Sequence, residues 1–481
     1  MYCLSKEELK HKVNRNIQKK LNKKKYEIKK QKAIELLTPQ RFDLLAKYIY
    51  VQFKQLQINS DFGKELYLEH IKAFNNFFEN DESQKIGAEA FTDSFDRLIK
   101  NVSQYGFKED MLIPVANNIL LDGAHRTALA IYLNKEINTV DLEIEAPNYN
   151  YEFFKNRGLS EIYLDYMATQ YLELKDNVYM ILLWPSSGGG KEKELKNILD
   201  KYGKVIYRKE IKLKNLGPVN LIRQVYKKEK WVGSTKDGYI GAYNKAKWCF
   251  DKNTPLRVIL FESDKDMVKM KDEIRNLYKV GKHSVHINDT KEEALELVGL
   301  LFNENSIHWL NNAFLKDMPK FNKLFKIYKK ELLNKDNYLI VGGILAVYGI
   351  KDANDLDFIC VKNENINFNN KLIEQEKSKI QFTNKSVDDL IFNPKNYFKI
   401  NGVKLLTLSE IKNIKEKRKK GKDVEDILII NKLLKEERII KVNLKDKIKF
   451  LINFGYLKGK IKFILLKIRF YITKIILEKK R

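Results

Sequence analysis

An α+β multidomain protein is what this sequence predicts, and three observations carry that expectation. Near the N-terminus, Leu36, Leu37, Phe42, Leu44, Leu45, Tyr48 and Ile49 recur at a spacing close to one helical turn. From residue 96 onward short apolar strand patterns alternate with helix patterns. At 481 residues the chain is long enough to bury several separate cores.

In order, residues 1–95 are expected to be helical, with the lysine-rich run KKLNKKKYEIKK as a solvated helix. Residues 96–175 start with short strands around ILLDGAHRTALAIYL. Residues 176–312 run strand (NVYMILLWP), helix, strand (KYGKVIYRKEIKL), then strand (TPLRVILFESD), helix (KMKDEIRNLY), strand and helix (KHSVHINDTKEEALELVGLLF). That β-α-β…β-α-β order is the ferredoxin-like arrangement. Residues 313–336 form a basic connecting helix, 337–440 open on the strand-turn-helix YLIVGGILAVYGI, and 441–481 form a basic tail.

The formal net charge is +27, from 90 Lys+Arg against 63 Asp+Glu, which favours polyanionic partners; much of the lysine excess lies at the two ends. Cys3, Cys249 and Cys360 form no CxxC, which argues against a disulfide framework or a thiolate zinc site and fits a reducing cytoplasm. The N-terminus lacks a signal-peptide core, and no uninterrupted apolar run is long enough to span a bilayer.

The first chemical motif is Leu121-Asp122-Gly123-Ala124-His125-Arg126-Thr127, a strand turning into a helix. N–H groups at a helix start bind anions, and an adjacent arginine adds a two-pronged phosphate contact. Over roughly 95–146, IPVANNILLDGAHRTALAIYLNKEINTVDLE resembles the ParB/sulfiredoxin-like superfamily. The resemblance implies nucleotide-phosphate binding by Gly123, His125 and Arg126. Ala124 stands where a sulfiredoxin has its cysteine, so reductase chemistry is not expected.

In GKHSVHINDT, residues 281–290, two of the chain's six histidines lie three apart. On a strand, positions i and i+3 face opposite ways, which weakens a shared metal site and favours a phosphoryl-carrying imidazole. His286-Ile287-Asn288-Asp289-Thr290 followed by Glu292-Glu293-Ala294 is similar to the histidine segment of nucleoside diphosphate kinases. The resemblance implies that His286 is the phosphorylated histidine and Arg275 a phosphate ligand, with Tyr226 and Trp231 where that family contacts the base. Thr290 is expected to cap the following helix, with Glu293 completing a capping box. The family's Lys-Pro-Asp turn is replaced by Trp184-Pro185-Ser186-Ser187-Gly188-Gly189-Gly190-Lys191, and Ile287 replaces its glycine. Lys191 is a candidate to stand in for the lost lysine; Glu192 after it rules out a P-loop.

The third motif is Val341-Gly342-Gly343, a spacer, then Asp355-Leu356-Asp357-Phe358. Carboxylates at i and i+2 on a strand share a face and can ligate one divalent cation, Mg2+ or Mn2+; a Gly-Gly turn lets backbone amides approach a triphosphate. The pattern resembles polymerase-β-like nucleotidyltransferases, which implies catalytic and metal-binding roles for Asp355 and Asp357 and nucleotide contact at Gly342 and Gly343. Lys415, Arg418, Lys422, Asp423 and Asp426 match the downstream helices of small members of that group. Glu374, Glu376 and Asp388 are candidates for a third carboxylate.

In the tail, Ile461, Ile464, Leu465, Ile468, Ile472, Ile475 and Ile476 share one helical face, flanked by Lys460, Lys462, Lys467, Arg469 and Lys474. Such a basic amphipathic helix, 458–481, suits peripheral contact with an anionic membrane at its cytoplasmic face; Phe463, Leu466 and Phe470 on the far face equally suit a partly buried core helix. The expected function is nucleotidyl or phosphoryl transfer from a nucleoside triphosphate to a sugar, lipid-linked or other small-molecule acceptor. The chain looks like multidomain proteins of bacterial surface-polysaccharide loci. The alternative is a nucleic-acid-associated partition or defence protein with a nucleotidyltransferase domain.

Overall fold

The structure, a computed structural model, describes residues 2–79, 84–108, 112–332, 335–361, 368, 370–376, 378–421 and 423–436. The expected amphipathic tail and Lys422 lie outside the described residues. The described chain is mixed α/β, with nineteen α-helices and three sheets. It divides into two compact units: the first is Met1–Asn311 with Ile391–Gly402, and the second comprises Asn312–Leu390 and the described residues from Val403 onward.

The first unit opens with a correction. Residues 1–95 are not helical throughout, because Tyr2–Ser5 and Lys25–Lys32 are strands. They begin a sheet ordered Tyr2–Ser5, Lys25–Lys32, Glu136–Asp141, Leu112–Ala116, Ile119–Leu120. The lysine-rich run pairs antiparallel with Glu136–Asp141, Ile28 opposite Val140. Its side chains alternate: Tyr26 and Ile28 are buried beside Leu112 and Val140, while Lys25, Glu27 and Lys29 stay exposed. Two buried residues suffice because the strand offers only one face to the core. The helical spacing further on does form a helix, Asp43–Gln55, which buries Leu44, Leu45, Ile49 and Tyr50. A hairpin turns through Asn117 and Asn118, both at positive φ, and leads into the helix Ala124–Tyr132.

The second sheet of this unit has the order Lys204–Ile211, Leu256–Glu262, Val178–Leu183, Val285–Ile287, and every neighbouring pair is antiparallel. The helices Glu192–Tyr202 and Met267–Tyr278 pack on one face, where Leu195, Leu199, Met270 and Ile274 meet Ile181, Ile259, Val285 and Ile287. Two more helices, Gly217–Val225 and Ile240–Cys249, lie in the chain between its second and third strands. Lys291–Leu301 follows the fourth strand.

In the second unit the strands run in the order Ile373–Gln375, Leu356–Cys360, Tyr338–Ile340, Val403–Leu406. The middle pair is antiparallel and the flanking pairs are parallel. The segment expected as a basic connecting helix contains Pro319–Glu331, whose buried Phe321, Leu324 and Tyr328 make it a layer of this unit. Tyr328 lies 5.6 Å from the Phe358 ring. Leu408–Arg418 and Asp423–Leu434 pack together after the last strand. No helix among the described residues is long and apolar enough to cross a membrane.

Candidate functional sites

In the second unit, a cleft of about 370 Å³ gathers Gly342, Gly343, Asp355, Asp357, Lys415 and Arg418. The strand Leu356–Cys360 places Asp357 between buried Leu356 and Phe358, so its carboxylate emerges on the cleft side with that of Asp355, just before the strand. A side chain at Gly342 would meet Asp357: its Cβ would lie 2.4 Å from Asp357 Oδ2. Gly343, at φ +73, holds the left-handed turn into the short helix Ile344–Val347. The N–H groups of Val341 and Gly342 both donate to the Asp357 carbonyl, at 2.8 and 3.1 Å. Of the two glycine amides, only the one at Gly342 is engaged in this way.

Lys415 and Arg418 come to the cleft already held by carboxylates. Arg418 donates to Asp423 through Nε and Nη2, at 2.9 and 2.6 Å. Lys415 bridges Asp423 and Asp426, at 3.1 and 2.7 Å. Burial raises the Asp423 carboxyl, but the Arg418 and Lys415 contacts outweigh it and hold it below its usual range. Of the three candidate carboxylates, Glu374 is the cross-strand partner of Asp357 and Glu376 is bound to Lys379. Asp388 lies on the helix Val387–Phe392. Lys379 itself contacts Asp357, a residue that sequence spacing does not reveal.

In the first unit, a cavity of about 1020 Å³ is lined by both His283 and His286. His283 ends a 3-10 turn, and the strand starts only at Val285, so the opposition of faces expected for i and i+3 on one strand does not apply. Val285 and Ile287 are buried in the sheet core, which turns His286 between them to the other face. His286 Nε2 donates to Glu293 Oε1 at 2.8 Å, so Nδ1 is the ring nitrogen left outside that bond. The capping expectation is met in part: the Glu293 N–H donates to Thr290 Oγ1 at 3.3 Å. The Glu293 carboxylate instead accepts the Asp289 N–H at 3.0 Å, alongside His286. Burial raises that carboxyl, and the two bonds outweigh it and hold it below its ordinary value.

Tyr226 stands edge-on to the His286 ring at 5.3 Å, and Trp231 packs on Tyr226 at 5.2 Å. Arg275 lines the same cavity and donates to Asp272 at 3.0 Å. Lys245, absent from the sequence-based candidates, reaches the Lys282 carbonyl at 2.7 Å and lies 3.3 Å from His283 Nδ1. Burial pulls its pKa down. Lys191 points elsewhere and donates to the Leu277 carbonyl at 2.7 Å.

The turn at Gly123 is the third constellation. Asp122 fixes it by accepting from the Gly123 N–H at 2.6 Å and from Asn14 Nδ2 at 3.0 Å. Gly123, at φ +85, leaves room that a Cβ would fill 2.7 Å from Ile113 and 3.0 Å from Arg126 Nη2. The Arg126 guanidinium thus lies over the turn at the start of the helix. His125 is packed edge-on against Phe95 at 4.5 Å, with Nε2 bonded to Tyr67 Oη at 2.9 Å. Burial first, then Lys47, keeps it neutral, its pKa well below the usual value. With the Gly123 N–H spent on Asp122, Arg126 is the best placed of the three residues to meet a phosphate.

Comparison with known protein families, curated proteins and solved structures finds no match for the chain.

Proposed function

We propose that the protein is a metal-dependent nucleotidyl or phosphoryl transferase that uses a nucleoside triphosphate, with its central chemistry in the second unit. The observation that carries this reading is the convergence of Gly342-Gly343, Asp355, Asp357, Lys415 and Arg418 on one cleft from separate stretches of chain. The unit is read as a polymerase-β-like nucleotidyltransferase domain. A glycine at 342, where a Cβ would strike Asp357, leaves Asp357 its place beside Asp355 at the cleft, and that carboxylate pair suits Mg2+ or Mn2+.

When bound, that cation would neutralise charge developing on the leaving pyrophosphate. Asp355 and Asp357 would hold it. The Gly343 N–H, where the turn enters its helix, would be available to the phosphates. Lys415 and Arg418, fixed by Asp423, present cationic edges to the acceptor or the phosphate tail. Asp355→Asn and Asp357→Asn are expected to abolish Mg2+-dependent transfer while the fold persists; undiminished turnover in the double variant would sink the assignment.

A second reading within the same class concerns the first unit. We read its sheet of Lys204–Ile211, Leu256–Glu262, Val178–Leu183 and Val285–Ile287, antiparallel with the first strand in sequence between the third and fourth, as ferredoxin-like. The His286–Glu293 bond favours a nucleoside-diphosphate-kinase-like role, because a carboxylate that accepts the Nε2 N–H hydrogen bond orients Nδ1 as a phosphoryl acceptor. The Gly123–Arg126 turn is read as a ParB/sulfiredoxin-like nucleotide-phosphate site. A sugar or lipid-linked acceptor, as in bacterial surface-polysaccharide synthesis at the cytoplasmic membrane face, completes the proposal.

A further inference from the structure

We propose that Lys379 is a built-in counter-cation that competes with the divalent cation for Asp357 and so makes metal loading depend on the triphosphate. The inference rests on the reading of Asp355 and Asp357 as cation ligands and concerns how that site is regulated.

Lys379 lies in the turn before the short helical stretch Ile380–Phe382 and lines the same cleft as Gly343, Asp355 and Asp357. Its ammonium contacts Asp357 Oδ2 directly and stands 3.3 Å from Glu376 Oε2. All three side chains are largely shielded, with 19% of Lys379, 16% of Asp357 and 19% of Glu376 exposed. Shielding keeps the attraction stronger than that of a surface pair. Glu376 is itself held in place, since its Oε1 accepts from Ser378 N and Oγ at 2.7 and 2.6 Å. Asp355, by contrast, has no hydrogen-bond or ion-pair partner among the described residues and is exposed.

The consequences follow from charge. Lys379 answers two carboxylates, Asp357 and Glu376, while Asp355 on the same cleft is unpaired among the described residues, so an entering divalent cation meets a carboxylate pair that is only partly neutralised. A cation entering between Asp355 and Asp357 must take Asp357 from Lys379. Once expelled, the ammonium has one carboxylate partner left, Glu376, and a triphosphate arriving in the cleft offers it new anionic partners. Metal alone therefore binds against the cost of breaking the Lys379–Asp357 pair. Metal with nucleotide binds with that cost offset, so the two ligands assist each other.

The test is calorimetric titration of the full chain with Mn2+ alone. Lys379→Met should bind Mn2+ about tenfold more tightly than wild type, the scale of one partly shielded ion pair. Lys379→Arg should keep the weak wild-type affinity. A non-hydrolysable nucleoside triphosphate should tighten Mn2+ binding in wild type and much less in Lys379→Met. A folded Lys379→Met protein, checked by circular dichroism, that binds Mn2+ no more tightly than wild type would overturn the proposal. Mn2+ binding to wild type that survives Asp355→Asn/Asp357→Asn would instead overturn the metal-site reading, and the competition with it.

Discussion

Gly342→Ala probes the cleft with the smallest change available. The added Cβ would lie 2.4 Å from Asp357 Oδ2 and 2.9 Å from both Cβ and Cγ of the same residue, well inside the 3.4 Å where ordinary contact begins. Rotating the carboxylate away relieves the first clash but not the one with Asp357 Cβ. The backbone cannot easily slide, because the Val341 and Gly342 N–H groups are both tied to the Asp357 carbonyl. The strand Leu356–Cys360 must therefore shift or the pair of bonds must stretch. Overpacking of this kind costs about 1–3 kcal/mol. It should appear as a lower urea midpoint for the transition that includes the second unit, with an unchanged slope. The shift also displaces one of the two proposed cation ligands, so Mn2+ affinity should fall with stability. An alanine variant within about 0.5 kcal/mol of wild type, with unchanged Mn2+ affinity, would refute the close packing of Gly342 on Asp357.

Arg126→Ala should weaken nucleoside triphosphate binding at the Gly123 turn by about 2–3 kcal/mol, the scale of a lost charge-assisted bond; unchanged affinity by calorimetry would make the turn purely structural. A triphosphate carrying a labelled γ-phosphate should leave an acid-labile, alkali-stable adduct that vanishes in His286→Ala and persists in His283→Ala; no adduct on wild type would make the cavity a binding pocket. Acid should destabilise the first unit through His70 and His125. Burial holds both well below the ordinary histidine value of about 6.5, and neither ring nitrogen of His70 has a hydrogen-bond partner among the described residues. The unfolded chain therefore binds more protons, so stability is fully present above about pH 6.5 and falls as pH drops below it, by up to about 1.4 kcal/mol per pH unit for each histidine. His70→Phe should flatten that slope; an equally steep loss would assign it to other groups.

What the sequence disclosed and what it hid follow from the range of the signals. The Asp355/Asp357 pair and Gly342-Gly343 are local patterns, and a period-two rule is enough to predict that the carboxylates share a face. The helix Asp43–Gln55 was legible because many apolar residues repeat along it. The strand Lys25–Lys32 was not, because Tyr26 and Ile28 alone carry its alternation in a run dominated by lysine. Lys379 and Lys245 were hidden for a different reason. Each reaches its site from a turn or helix far along the chain, and no spacing rule links Lys379 to Asp357 or Lys245 to His283. Glu293 stood in view as a capping residue. Its contact with His286, seven positions back, depends on how the strand Val285–Ile287 and the helix Lys291–Leu301 fold against each other.

Parallel incubations with Mg2+ and nucleoside triphosphates labelled at either the α- or the γ-phosphate test the central claim most directly. The account predicts that wild type moves the α-label to an acceptor and releases pyrophosphate, and that Asp357→Asn does neither. An α-label that stays on the nucleotide with every triphosphate and acceptor class tried, or that moves equally well with Asp355→Asn/Asp357→Asn, would contradict it.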